Sequence, residues 1–457
     1  MKKYRTTLVK VLAQSFIITY ALLSYESVSV AQSLPESCFN YDQAANSKHL
    51  GSDYINPSQT DKPDKNSYAL DKQLGSCVLR VTDHINEPPR GFARNHYSRR
   101  QAFNSDESLL LVYAEDGYWH LYDANTFKHV RKLSLGGADV EPQWSPDNPH
   151  LLYKFPQNGG LVVLSHHVLS DYVKVVADFR DVREINGHPG ITSILDIWPD
   201  TRRIWTKSEG SPSKDARYWG LQVETEDFKS IGAITYDMFT NSIVGIFDFN
   251  KDGNGIGRPD HISMSPSGKY VVPSWYSQSC DNVSSGSTSK PCGLMVYRRD
   301  FSNGYSVAVR GEHSDIAIGA DGQDVIVMPN YVSGYVEMYD IENRATEKLW
   351  RIYRNSAATA MHVSGKSYKR PGWVLISTYA TNGQPQWWTN RIMAVQLKKK
   401  PKIYLLANTF NKDGGYWTEP HAVVNQDFTK VLFNSNWGSG DNDIDVYTIS
   451  VSTDLLD

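Results

Sequence analysis

Histidines and arginines are the residues in this chain whose types and spacing can do chemistry. Along Asn95-His96-Tyr97-Ser98-Arg99-Arg100, strand alternation places His96, Ser98 and Arg100 on one face. A hairpin downstream brings Tyr118-Trp119-His120 alongside, close enough to set His120 near His96. Two imidazoles with shifted pKa values can act as base and acid in a proton transfer. A fixed positive charge can come from Arg203, in the stretch TRRIWTKS, or from Arg217, in ARYWG. Arg100, Arg217 and Tyr218 are the expected substrate contacts. A lone histidine is more often structural than catalytic. Here, however, histidine recurs at the start of successive repeats, at His96, His188, His261, His313, His362 and His421. No glycosidase carboxylate pair and no G-x-S-x-G elbow stands out.

Two further groups of residues suggest metals. Asp248, Asn250, Asp252 and Asn254 alternate through a turn containing Gly253, like the start of a calcium loop. The closing glutamate is missing, and Asp260 is the nearest replacement. Structural calcium is the expectation. His261, His313 and His421 are candidates for zinc or another transition metal, without a tight H-x-H or H-E-x-x-H spacing.

The elements that must position these groups are β-strands. From His96 onward a unit recurs: an often histidine-led strand, a Ser/Asn-x-Asp/Ser-Gly-like turn, an apolar strand, a loop and a closing strand. HISMSPSGKYVVPSWYS followed by GLMVYRRD is one copy, and HSDIAIGADGQDVIVMPN followed by GYVEMYDIEN is the next. The third copy is expected to open near His188. Helical periodicity is nearly absent. One such unit cannot bury both of its faces, whereas radial packing of several buries them all. Seven units predict an all-β, seven-bladed β-propeller of four-stranded antiparallel blades. Residues 32–457 form one domain, with an irregular segment over 32–90 that wraps an edge or completes a blade, and blades from about 91 to 457.

The block RNHYSRRQAFNSDESLLLV, from Arg94 to Val112, together with the H-x-S-x-S-P-S-G opening at His261, resembles the propeller polysaccharide lyases. The ulvan lyases of polysaccharide lyase family twenty-four and their relatives are the nearest in pattern. The resemblance implies a propeller that cleaves a sulfated, uronate-containing glycan by β-elimination. It implies His96 and His120 as the catalytic pair and Arg203 as the arginine against the uronate carboxylate. The family's aromatic hydroxyl upstream of that arginine falls nearest to His188. Two other functions remain open: a non-catalytic propeller that binds glycan or protein, and a pectic oligosaccharide lyase that uses a histidine-held metal.

The compartment is read from the opening residues. Lys2, Lys3, Arg5 and Lys10 precede an apolar run from Phe16 to Leu23, and Ser29-Val30-Ala31 supplies a small-x-small exit. This predicts a secretory signal peptide over 1–31 and a secreted, extracellular or periplasmic protein. The four cysteines fit export as two local pairs, Cys38 with Cys77 and Cys280 with Cys292. Lys398 to Lys402 is the one basic run and reads as a solvated turn, so nucleic acid is not an expected partner. An acidic sulfated polysaccharide is the expected partner, with no stable membrane insertion and a monomeric state.

Overall fold

The repeated turn has a physical origin. Its opening Ser or Asn side chain accepts backbone N–H groups across the turn, which replaces ladder bonds lost where the chain reverses. Ser265 Oγ accepts from Tyr270 N at 3.3 Å, Asn104 Oδ1 from Leu109 N at 3.0 Å, and Asn425 Oδ1 from Lys430 N at 2.9 Å. Gly268 closes one such turn at φ 72°, where an added Cβ would also meet the Tyr218 ring at 2.4 Å. Each turn joins the first two strands of a blade.

A computed structural model describes residues 60–88, 91–207, 209–280, 286–354, 356–440 and 443–457. The expected signal peptide over 1–31 lies outside the described residues. Seven sheets follow one another along the chain. Six of them open, at their inner edge, with the strands Ala93–Arg94, Gln143–Trp144, Arg203–Trp205, His261–Met264, Asp315–Ile318 and Ala358–Ser364. Five of these six are four-stranded and antiparallel, as expected.

The seventh blade opens with Val423–Val424 and continues through Lys430–Ser435 and Asp445–Ser450. It is completed by Ser76–Arg80 and Tyr68–Asp71, from the segment read as irregular. The start of the described chain therefore closes the ring. A buried charge cluster locks the closure: Asp445 accepts from Arg80 at 2.8 Å and Thr82 at 2.8 Å, and pairs with Lys62 at 3.1 Å and His84 at 3.0 Å.

Inner strands are buried on both faces, as in His261–Met264 and Asp315–Ile318. The outermost strands, such as Ala345–Arg351, expose most of their residues. Apolar side chains fill the spaces between adjacent sheets; Val325, Val327 and Met338 of the fifth blade pack with Met361, Val374 and Met393 of the sixth.

The third blade departs from the expected layout. Its inner strand is Arg203–Trp205, not a strand near His188. Glu184–Ile185 instead pairs in parallel with Ser242–Asp248, making a fifth, outermost strand. His188, whose N–H donates to Ile185 O at 3.0 Å, follows that outer strand and sits at the perimeter of the propeller. It cannot serve a site at the axis.

Candidate active site

The loops leading into and out of the inner strands converge on a cavity of about 410 Å3. Its lining comes from the first blade (Tyr97), the third (Glu209), the fourth (Asp260, Tyr276), the fifth (Arg310, Glu312, His313, Tyr331), the sixth (His362, Tyr379) and the seventh (Tyr416, Glu419). Contributions from so many blades place the cavity at one mouth of the central channel.

The first blade delivers its part by breaking its own inner strand. Ala93–Arg94 pairs with the second strand, and pairing resumes only at Phe103 opposite Leu110. The residues between leave the sheet and turn, with Arg100 N donating to Tyr97 O at 3.1 Å. Alternation survives, with its faces opposite to the expected ones. His96 and Arg100 pack on Trp119, at 5.1 and 5.9 Å from its ring centre. Tyr97 and Arg99 face the channel. Arg99 Nη1 donates to Glu312 O at 2.8 Å and Ser314 O at 2.6 Å, and Nη2 donates to Tyr97 Oη at 3.2 Å and to Glu209.

Opposite Tyr97 lies a group of imidazoles. His362 stacks on His421 with ring centres 4.3 Å apart, and His313 lies 5.1 Å from His362. Glu419 Oε2 is 2.6 Å from His362 Nε2 and 3.6 Å from His421 Nε2. Burial, with the neighbouring His362 and Arg99, pushes His313 down to about 3. Burial also holds His362 and His421 well below the usual imidazole range. It pushes Glu419 up to about 7, against the pull of His313, Tyr379 and Arg94. Neutral imidazoles beside a carboxylate are the form and the donor set that ligate a divalent cation. One ligand atom from each of His362, Glu419 and His421 lies within 4.8 Å of the other two. His362, Glu419 and His421 therefore fit a metal. Glu209, Asp260 and His261 form a second convergence, but Arg99 already occupies Glu209, and Asp260 holds His261 Nδ1 at 3.0 Å.

Among solved structures, the chain is similar to an oligogalacturonate lyase in complex with manganese: identity is 14%, the TM-score is 0.57, and the match covers 89% of this chain and 100% of that one. It is similar too to an oligogalacturonate lyase from Vibrio parahaemolyticus, at 13% identity and a TM-score of 0.58, over 87% of this chain and all of that one. The likeness is one of fold. No protein-family model matches the sequence, and no curated protein matches it.

The structure separates most of the residues singled out from sequence. His96 lies behind the mouth, against Tyr113 and Trp119, where burial holds it well below the usual imidazole range. His120 is not beside it; His120 Nδ1 faces His129 Nε2 at 2.9 Å and its Nε2 faces Asp116 at 3.1 Å. Arg203 is committed to Asn158 O, to Glu226 and to the face of Phe228, outside the cavity lining. Arg100 is buried, donating to Pro142 O. Arg217 pairs with Asp237 and covers Tyr218, which packs at the Gly268 turn, one strand length from the mouth. Of His261, His313 and His421, the last two flank His362, while His261 belongs to the Asp260 side of the channel.

In the expected calcium loop, Asp248 Oδ1 accepts from Asn250 N and Lys251 N, and Oδ2 accepts from the Trp198 indole at 3.0 Å. Asp252 accepts from Asp248 N, and Asn254 turns the chain at φ 53°. The carboxylates of Asp248 and Asp252 are thus engaged by hydrogen bonds from the turn itself and from Trp198. Cys280 and Cys292 form a disulfide, as their local pairing predicts. Cys77 is disulfide-bonded as well, while Cys38, its expected partner, lies outside the described residues.

Tyr97, Arg99, Glu209, Arg310 and Glu419 are the residues that sequence reasoning missed. One signal was present: an acid stands just before three of the repeat-opening histidines, in Asp260-His261, Glu312-His313 and Glu419-Pro-His421. These acids sit where the loops meet at the mouth.

Proposed function

We propose that this protein is a metal-dependent lyase that cleaves uronate oligosaccharides of pectic type by β-elimination. One observation carries the reading: a single cavity is lined by a neutral imidazole, His313, an exposed arginine, Arg310, and the pair His362 and Glu419, with His421 buried against His362. The manganese-bound lyase of similar fold supports it. The ulvan reading rested on His96 and His120 acting together, and these two rings do not meet.

Proton removal from C5 of a uronate is difficult because the adjacent carboxylate resists more negative charge. Arg310 makes no ion pair among the described residues, so its guanidinium is available to that carboxylate. His313, uncharged at neutral pH, keeps a lone pair for the C5 proton. A divalent cation on His362, Glu419 and His421 would supply further positive charge for the developing enolate-like carboxylate. Tyr331 and Tyr379 add aromatic walls to the cavity. We also propose that the protein acts outside the cytoplasm, a reading supported by the basic, apolar and small-residue pattern over 1–31 and by the disulfides. No helix among the described residues is long and apolar enough to cross a membrane.

The test is a substrate panel of oligogalacturonate, ulvan, heparin and chondroitin, read by the ultraviolet absorbance of the unsaturated uronate. Oligogalacturonate should be cleaved, chelation should stop the reaction, and manganese should restore it. Cleavage of ulvan alone would return the specificity to the sulfated glycan. No product from any substrate would leave a binding propeller.

A further inference from the structure

A β-elimination also needs a proton for the departing glycosidic oxygen, and the cavity offers several tyrosines. Tyr331 Oη already donates to Thr359 O at 3.1 Å. Tyr276 and Tyr379 are hydrogen-bonded to the carboxylates of Asp260 and Glu419. Tyr416 takes a hydrogen bond from Arg94, but it is 44% exposed at the rim. Tyr97 differs from all of these. It is buried in the cavity wall, its ring 5.3 Å from His362 and 5.0 Å from His421. Its hydroxyl oxygen accepts from Arg99 Nη2, and none of its hydrogen bonds among the described residues uses the hydroxyl hydrogen. The same guanidinium grips the carbonyls of Glu312 and Ser314, one on each side of His313. A single rigid fork therefore holds both Tyr97 and the backbone that carries the base.

We propose that Tyr97 is the proton donor to the departing oxygen, and that Arg99 is the residue that positions it. This rests on the β-elimination reading above. His313 takes the C5 proton, and the electrons of the C5–H bond become the C4=C5 double bond. The C4–O bond breaks, and its oxygen takes the Tyr97 hydroxyl proton. The phenolate left behind lies against the Arg99 guanidinium, whose charge offsets part of the burial that pushes this phenol up. After product leaves, the proton on His313 returns to Tyr97 through solvent. No water is consumed, and no oxidant or reductant is needed.

The experiment compares Tyr97→Phe with the parent, both as full chains supplied with manganese, on two substrates. One is oligogalacturonate; the other is a galacturonate carrying fluoride at C4, which departs without needing a proton. Tyr97→Phe should lose about 100-fold or more in kcat on the oligosaccharide and only a few-fold on the fluoride. Equal loss on both substrates, or no loss on either, overturns the assignment. A second measurement needs no variant: the parent should show a solvent deuterium isotope effect on kcat with the oligosaccharide and a much smaller one with the fluoride. Equal isotope effects count against Tyr97 even if the variant fails to fold. A parent inactive on both substrates defeats the lyase reading itself, whereas an active parent with an unimpaired Tyr97→Phe defeats only the proton-donor assignment.

Discussion

His362 and His421 matter through what their rings face, not through their place in a repeat. Their replacement by Ala should weaken manganese binding at least about tenfold, measured by titration calorimetry, because each change removes one of three ligands. His313→Ala should abolish product formation while leaving manganese affinity near the parent value, which separates the base from the ligands. Arg203→Ala tests the alternative site. Its guanidinium is spent on Asn158, Glu226 and Phe228, so turnover should stay within about threefold of the parent. A collapse of turnover in folded Arg203→Ala would show that the chemistry lies elsewhere.

Two loops test what organises an element. Asp248 caps its own turn and holds the Trp198 indole, so the turn is ordered by hydrogen bonds. Asp248→Ala should cost about 1–3 kcal/mol in denaturant unfolding, and by the same amount with or without calcium. A loss seen only when calcium is present would restore the calcium loop. The Cys280–Cys292 bridge closes a loop of 12-residue separation just after Tyr276 of the mouth. Replacing both cysteines with Ser should destabilise the fold by about 3 kcal/mol if chain entropy dominates, read as a lower Tm without loss of the inner strands.

Ring closure is the property of the whole molecule that titrates. Burial opposes the charge on Asp445, but the His84 hydrogen bond and the charges of Arg80 and Lys62 outweigh it and hold this carboxyl well below its usual range. A depressed carboxylate contributes stability that is present above the unfolded value, about 4, and lost as pH falls through the folded one. Stability should therefore drop on acidification below about pH 4. Asp445→Asn should remove that component and, by leaving Arg80 with Asp83 as its remaining carboxylate partner, cost about 2–3 kcal/mol at neutral pH. A flat acid limb in the parent would show that the closure is held by strand pairing alone.

The propeller was legible in the sequence because its signals are local. A Ser or Asn turn such as Ser265 to Gly268 recurs from blade to blade, and burial of the inner strands on both faces repeats with it. The disulfide was legible for the same reason, since Cys280 and Cys292 are near neighbours in the chain. The site was not local. Tyr97 meets His362 and His421 across the ring, and Arg99 grips residues more than 200 positions away. Strand alternation could say that His96 and Tyr97 face opposite ways, but not which way is inward. That choice was made by the break in pairing between Arg94 and Phe103, which turns Tyr97 and Arg99 toward the axis and leaves His96 on Trp119. His188 shows the same limit: a histidine in a repeat-like context ended at the perimeter because a short parallel strand, Glu184–Ile185, took the outer edge of its blade. Composition and spacing determined the blades; the meeting of their loops around a closed ring decided which side chains share a cavity.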